Sequence, residues 1–188
     1  KYVEQLIGFP DKSILSVSKN QKPTVSIVIP VYNNLSYTLE CLKSIAYAQN
    51  SVPIEVIVVD DCSTDHTYKI LSRRKDITCI RNTENVGFVG SCNDGARVAG
   101  GEYVFFLNND TVVMDHWLDT HVEIMKKDPL IGFIGSKLVY PNGMLQEAGG
   151  IIWADGSGYN YGKEGDPNTS EYNFVRDVDY CSGAAIMI

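Results

Sequence analysis

Basic residues are scarce in this sequence, and nothing gathers those that are present. Lysine and arginine number 16 against 23 aspartates and glutamates, a formal charge of −7 with no basic stripe. A nucleic-acid groove needs clustered positive charge, so nucleic acid is excluded as a partner. The five cysteines, Cys41, Cys62, Cys79, Cys92 and Cys181, are odd in number and show no CxxC pairing. That argues against a zinc site and predicts reduced thiols in a cytoplasmic setting. No apolar run reaches the length of a membrane span, and no stretch reads as a signal peptide. Also lacking are GxGxxG after the first strand, a Walker-type phosphate loop, a GxSxG elbow and HExxH. His116 and His121 are wrongly spaced for two ligands on one helical face and read as surface residues.

What is present is an ordinary globular composition, 44% hydrophobic and 21% charged. Residues 1–22 are weakly patterned and read as an extension or linker; one domain is expected over residues 23–188. Residues 25–30 form an apolar strand stopped by Pro30, which cannot donate to a ladder. Asn33 and Asn34 offer N-caps to a helix whose apolar side is Leu35, Leu39, Leu42 and Ala46. A second strand over residues 54–59 runs into Asp60-Asp61, with cap residues at 62–65 and a short helix containing Tyr68, Ile70 and Leu71. A weaker strand ends at Arg81, and a loop follows. The next helix has Val89, Cys92, Ala96 and Ala99 on one face and stops at Gly100-Gly101. Tyr103-Val104-Phe105-Phe106-Leu107 then predicts a strand buried on both faces, leading into Asn108-Asn109-Asp110-Thr111. Beyond it come a helix capped by Asp115 with Trp117, Leu118, Val122 and Met125, a strand over residues 131–134, and irregular hairpins through residues 141–171.

Strand alternating with helix predicts an α/β fold with a mostly parallel sheet and right-handed crossovers. Parallel strands share one carboxyl edge, and ligands bind in the crevice there. The loops at residues 30–34, 60–63, 82–90 and 108–111 therefore converge. Asn108, Asn109 and Asp110 bring amide and carboxylate oxygens to that edge, where a hard cation can be held. An acidic protein that binds an anionic ligand needs such help.

Five stretches occur in one order: Pro30-Val31-Tyr32-Asn33, Val59-Asp60-Asp61-Cys62-Ser63-Thr64-Asp65, Asn85-Val86-Gly87-Phe88, Asn93-Asp94-Gly95 and Leu107-Asn108-Asn109-Asp110-Thr111. The series closely resembles the family 2 glycosyltransferases of GT-A fold, particularly bacterial rhamnosyltransferase-like members. The segments Gly143 to Gly150 and Ser182-Gly183-Ala184 also look like parts of those enzymes.

The resemblance implies a GT-A-type (Rossmann-like) sheet flanked by helices, a nucleotide-sugar donor such as a UDP- or dTDP-sugar, and inversion at the anomeric carbon. It implies that Pro30, Val31, Tyr32, Asn33, Asn85, Gly87, Asn93, Asn108 and Asn109 face the donor. One of Asp60 and Asp61 would receive a hydrogen bond from a pyrimidine base. Asp110, with Asn108 beside it, would ligate Mg²⁺ or Mn²⁺. Gly149, Gly150, Ser182, Gly183 and Ala184 would stand on the acceptor or donor side. The acceptor would be a hydroxyl of a glycan or lipid-linked molecule in surface-polysaccharide assembly, with peripheral membrane association of the full enzyme.

Two features depart from that pattern. Asn108 stands where the family's metal motif opens on Asp, so it supplies an oxygen without charge. The family's catalytic base lies in an acidic motif well downstream of the Ser-Gly-Ala segment. The expectation is a donor-binding portion incomplete at its C-terminus, inactive alone, with the base beyond Ile188. A non-catalytic nucleotide-binding module is the alternative. A nucleotidyltransferase fits less well, because Pro30-Val31-Tyr32-Asn33 is neither glycine-rich nor basic.

Overall fold

The structure, a computed structural model, describes residues 22–188. The extension expected over the first residues, apart from Lys22, lies outside the described residues. The alternation begins with β1 (Val25–Val31), α1 (Leu35–Tyr47), β2 (Ile54–Asp60), α2 (Thr67–Leu71) and β3 (Thr78–Arg81). It continues with α3 (Gly87–Val98), β4 (Tyr103–Leu107) and α4 (Trp117–Lys127). Short strands complete the fold: β5 (Ile134–Gly135), β6 (Leu138–Val139), β7 (Leu145–Glu147), β8 (Gly150–Ile152), β9 (Gly158–Asn160) and β10 (Ala185–Met187).

The main sheet has the order β3-β2-β1-β4-β10-β5, and β6–β7 and β8–β9 are separate antiparallel pairs. β1, β2, β3 and β4 are mutually parallel, as the alternation predicts. From β1 the chain winds outward to β3, then returns to place β4 on the other flank of β1. Loops leaving the carboxyl ends of β1, β2, β3 and β4 therefore share one edge, where sheets of this kind receive ligands in a crevice.

Several expectations are corrected. Pro30 does not stop β1, which continues to Val31 with Pro30 opposite Val59. The ladder with β4 has already ended at Val28 opposite Phe106, so the missing N–H disrupts no pairing on that side. β4 is not equally buried on both faces. Phe105 and Leu107 lie in the main core with residues of α1 and α4, whereas Val104 and Phe106 meet a small cluster of Val28, Ile57 and Val59. The strand expected over residues 131–134 is only β5. β10 runs antiparallel between β4 and β5, an arrangement the strand–helix alternation does not encode. His121 is not a surface residue: its Nδ1 lies 2.6 Å from the Trp117 carbonyl and its ring stands edge-on to Phe105. Asp115 caps no helix of its own; its Oδ1 accepts the Gln49 N–H at 2.7 Å.

α3 meets the sheet through Ser91, Cys92 and Gly95, while Val89 is 69% exposed. The reason is close approach. A Cβ on Gly95 would stand 2.3 Å from Val28 Cγ1 and 3.0 Å from Val59 Cγ2, so only glycine lets the helix lie this near the strands. Gly95→Val is therefore expected to lower the unfolding free energy by about 1–3 kcal/mol despite the poor helix propensity of glycine. Urea denaturation checks this, and a variant as stable as the parent would show that α3 does not sit so close.

Candidate functional site

The crevice is bounded first by the end of β2. Asp60 is fully buried. Its Oδ2 accepts the Ser63 N–H at 3.3 Å and lies 3.6 Å from Arg81 Nε, while Oδ1 has no partner among the described residues. Asp61 is differently engaged. Its Oδ1 accepts from Asn82 Nδ2 and the Val86 N–H, and its Oδ2 from the Gly87 N–H, each at 2.9 Å. These amides open α3, so Asp61 caps that helix from a neighbouring loop. Burial pushes the Asp61 carboxyl up, but hydrogen bonds from Asn82, Val86, Gly87 and Ser91 outweigh it and hold the group below its ordinary range.

The loop after β1 is locked to the loop after β2. Asn33 and Asn34 both adopt left-handed backbone, which asparagine tolerates better than most residues. Neither caps α1 with its side chain, contrary to expectation. Asn33 Oδ1 instead accepts the N–H groups of Thr64 at 2.8 Å and Asp65 at 3.2 Å, and the Asn33 N–H donates to Ser63 Oγ at 2.8 Å. Asp65 reciprocates by accepting from the backbone of Asn34 and Leu35 at the start of α1. Burial raises the Asp65 carboxyl, but these bonds and those from Thr67 prevail and hold it low.

The third wall is the turn after β4. The Asn108 N–H donates to the Ala184 carbonyl at 2.8 Å, and Thr111 Oγ1 donates to the Asn108 carbonyl at 2.7 Å. Asn109 turns its amide to α1, where Nδ2 donates to Thr38 Oγ1 at 3.0 Å. Asp110 is exposed, and its carboxylate makes no hydrogen bond or ion pair among the described residues.

The other expected residues divide. Pro30 and Val31 are buried in β1, and Tyr32 is 50% exposed at its end. Asn85 lies in the loop capped by Asp61, and Gly87 opens α3 with φ of 77°. Asn93 stands on the exposed side of α3, away from the contacts its helix makes with the sheet. Gly149 and Gly150 lie beneath another part of the chain: a Cβ there would stand 2.4 Å from Val178 Cγ1 and 2.2 Å from the Tyr180 ring respectively. These two glycines permit close packing. The turn at Ser182, Gly183 and Ala184 does reach the crevice, through the Ala184 carbonyl and by the approach of Phe88 to Gly183.

Sequence reasoning placed Ser63 at this edge and read Asp65 only as a cap for the helix after it; it missed Thr38 and Arg81 there, and Glu147 behind it. Glu147 is 2% exposed and its Oε1 accepts the Ser182 N–H at 3.0 Å; burial raises its carboxyl, with that bond acting against the shift. An acidic residue in the apolar rhythm of β7 and a threonine beside Leu39 were the available signals.

The donor set fits a hard divalent cation that keeps several outer ligands. Among the described residues no group of three or more His, Cys, Asp or Glu could hold a metal. The turn offers one uncommitted carboxylate with an amide oxygen nearby. Magnesium-type sites commonly use one or two carboxylates and take the remaining ligands from phosphates and water.

A family model described as Glycosyl transferase family 2 matches residues 26–180. The chain belongs to glycosyl transferase family 2. An uncharacterized glycosyltransferase of Haemophilus influenzae is 34% identical over 110 residues, 58% of this chain and 37% of the relative. The Escherichia coli UDP-Glc:alpha-D-GlcNAc-diphosphoundecaprenol beta-1,3-glucosyltransferase WfaP is 37% identical over 100 residues, 52% of this chain and 38% of that protein. The chain thus spans well under half the length of these curated relatives. Among solved structures, the mannosyltransferase PcManGT from Pyrobaculum calidifontis, in complex with GDP-Man and Mn²⁺, matches with a TM-score of 0.56. It is 26% identical, and the match covers 75% of this chain and 42% of that one. The fold is accordingly the GT-A type that the sequence implied.

Because the Asp61 and Asp65 carboxyls are lowered on folding, their stabilisation is complete above the unfolded value near pH 4 and is lost as pH falls through the folded values. Asp61→Ala is expected to lose about 1–2 kcal/mol at pH 7, as a removed cap does, and to show a shallower fall in thermal midpoint on acidification. Melting curves from pH 7 to pH 2.5 check this. An acid limb as steep as the parent's would remove Asp61 from the account.

Proposed function

We propose that this chain is the donor-binding part of an inverting glycosyltransferase, holding a UDP- or dTDP-sugar with Mg²⁺ or Mn²⁺ in the crevice between β1 and β4. The observation that carries the reading is Asp110: an exposed, uncommitted carboxylate at the carboxyl end of β4, on a turn fastened from both sides. The PcManGT complex with GDP-Man and Mn²⁺ supports it by likeness.

Residue roles follow from what each side chain still offers. Asp110 would hold the cation directly, and the Asn108 amide oxygen would assist. When bound, the cation would neutralise diphosphate charge as the sugar departs. The base's N–H would be received at Asp60-Asp61, at Asp61 Oδ2, which has one backbone donor, since Asp60 Oδ1 has no partner but is itself buried. Tyr32, half exposed beyond β1, would flank the nucleoside.

Inversion requires a carboxylate within reach of the acceptor proton. Glu147 is buried against Ser182, and Asp179 Oδ2 accepts the Ile152 N–H at 2.8 Å. We assign the base to neither. The acceptor would be a hydroxyl of a glycan or lipid-linked molecule, in keeping with the diphosphoundecaprenol named for the Escherichia coli relative. No helix among the described residues is long and apolar enough to cross a membrane, so any association with a lipid-linked acceptor through them would be peripheral.

Titration calorimetry with UDP tests the reading. Binding is expected to tighten when Mn²⁺ replaces EDTA, and Asp110→Ala is expected to abolish that increment. A variant that keeps the full increment would dismiss Asp110 as the ligand, and a parent chain with no affinity for UDP, dTDP or GDP would dismiss the function.

A further inference from the structure

α1 carries three polar side chains on the side that meets the chain after β4. Thr38, Cys41 and Ser44 are spaced three apart, so they form one row along the helix. Each engages the segment that follows β4. Thr38 Oγ1 accepts from Asn109 Nδ2 at 3.0 Å. Cys41 Sγ lies 3.7 Å from the Asn108 carbonyl and 3.9 Å from Thr111 Oγ1. Ser44 Oγ accepts the Val113 N–H at 3.1 Å. Every third residue of the helix thus meets the segment in step, and Asp110 falls between the first two contacts.

Thr38 is the informative member. It is fully buried, next to Leu39 in the core face of α1, where an apolar residue would fill the space without needing a partner. A buried hydroxyl persists where it has a hydrogen bond to make, and here the partner is the side chain adjacent to Asp110. Cys41 is a weaker anchor. Its thiol is buried, with desolvation pushing it up to about 12, and its contacts to the segment are long.

We propose that Thr38 is a positioning residue for the cation site: by holding the Asn109 amide it fixes the turn so that Asp110 is presented to the metal. The inference rests on the donor-site reading above and deepens it. It also moves Asn109 from a donor contact to a structural tie, because its amide nitrogen is spent inside the protein. Thr38 touches neither metal nor donor and acts only through Asn109.

The test uses the chain with UDP and MnCl₂ as probes and three variants. Thr38→Val removes the hydroxyl and keeps the shape; Thr38→Ser keeps the hydroxyl and loses the methyl; Asp110→Ala is the reference for a lost ligand. In Thr38→Val the Mn²⁺-dependent gain in UDP affinity is expected to fall about tenfold, the scale for removing a partner that orients a metal ligand. Affinity in EDTA should be unchanged, and Thr38→Ser should restore the gain. In metal-free protein, the Asn109 side-chain amide signals should shift and exchange faster with solvent in Thr38→Val and return in Thr38→Ser. A Thr38→Val variant that keeps the full Mn²⁺ gain overturns the proposal. So does a variant that weakens UDP equally with and without metal and is not rescued by serine, since that is the signature of packing alone. A parent chain that ignores Mn²⁺ defeats the donor-site reading itself. In that case unchanged Asn109 amide signals in metal-free Thr38→Val also remove the tie, and shifted ones retain it.

Discussion

The length of the β1–β4 ladder governs what the carboxyl edge of this sheet can hold. β1 pairs with β2 through Val31 opposite Asp60, but with β4 only as far as Val28 opposite Phe106. At the carboxyl edge β1 therefore parts from β4 before it parts from β2. A fully zipped pair would close the crevice with backbone hydrogen bonds. A pair that never met would leave Asp60 and Asp110 on separate surfaces. Pro30 is compatible with this geometry because its missing N–H falls beyond the β4 ladder.

Around that opening, polar side chains hold the loops to one another more than they await a ligand. Asp61 fastens the loop after β3 and Asp65 the loop after β1. Each serves an element distant in sequence, so helix ends are satisfied across the fold. One such cap contributes about 1 kcal/mol. The larger consequence is coupling, since displacing one loop strips the cap from another. Asp110 is the contrast: among the described residues its carboxylate supports no other element.

The alternation of strand and helix was legible because it depends on period, and period survives in a one-dimensional string. The convergence of four loops was legible for the same reason, since parallel strands share an edge whatever their side chains do. The direction of each side chain was not. Nothing in Asn33-Asn34 or Asp60-Asp61 distinguishes a residue facing the ligand from one bound to a loop some 30 positions away, as Asn33 is to Thr64. Val89 and Ala96 fit a helical face, yet the helix turned on Gly95, because close approach is decided by an absent side chain. β10 escaped for another reason: three residues carry too little pattern to declare a strand, and its position is set by pairing with β4.

The distribution of charge at the edge bears on the proposal that a cation is held there. A diphosphate can be received by helix N-termini, by basic side chains or by a metal ion. The N-terminal amides of α3 nearest the edge already donate to Asp61, and those of α1 to Asp65. Arg81 donates to the Ser63 carbonyl, lies beside Asp60 and stacks on the Tyr68 ring. Carboxylates have thus taken the positive ends that would otherwise greet a phosphate. In a chain of net charge −7, that arrangement would repel an anionic nucleotide unless a cation intervened. On the proposed reading Asp110 reverses the problem, because the negative charge that would repel a bare diphosphate would attract the ion that binds one.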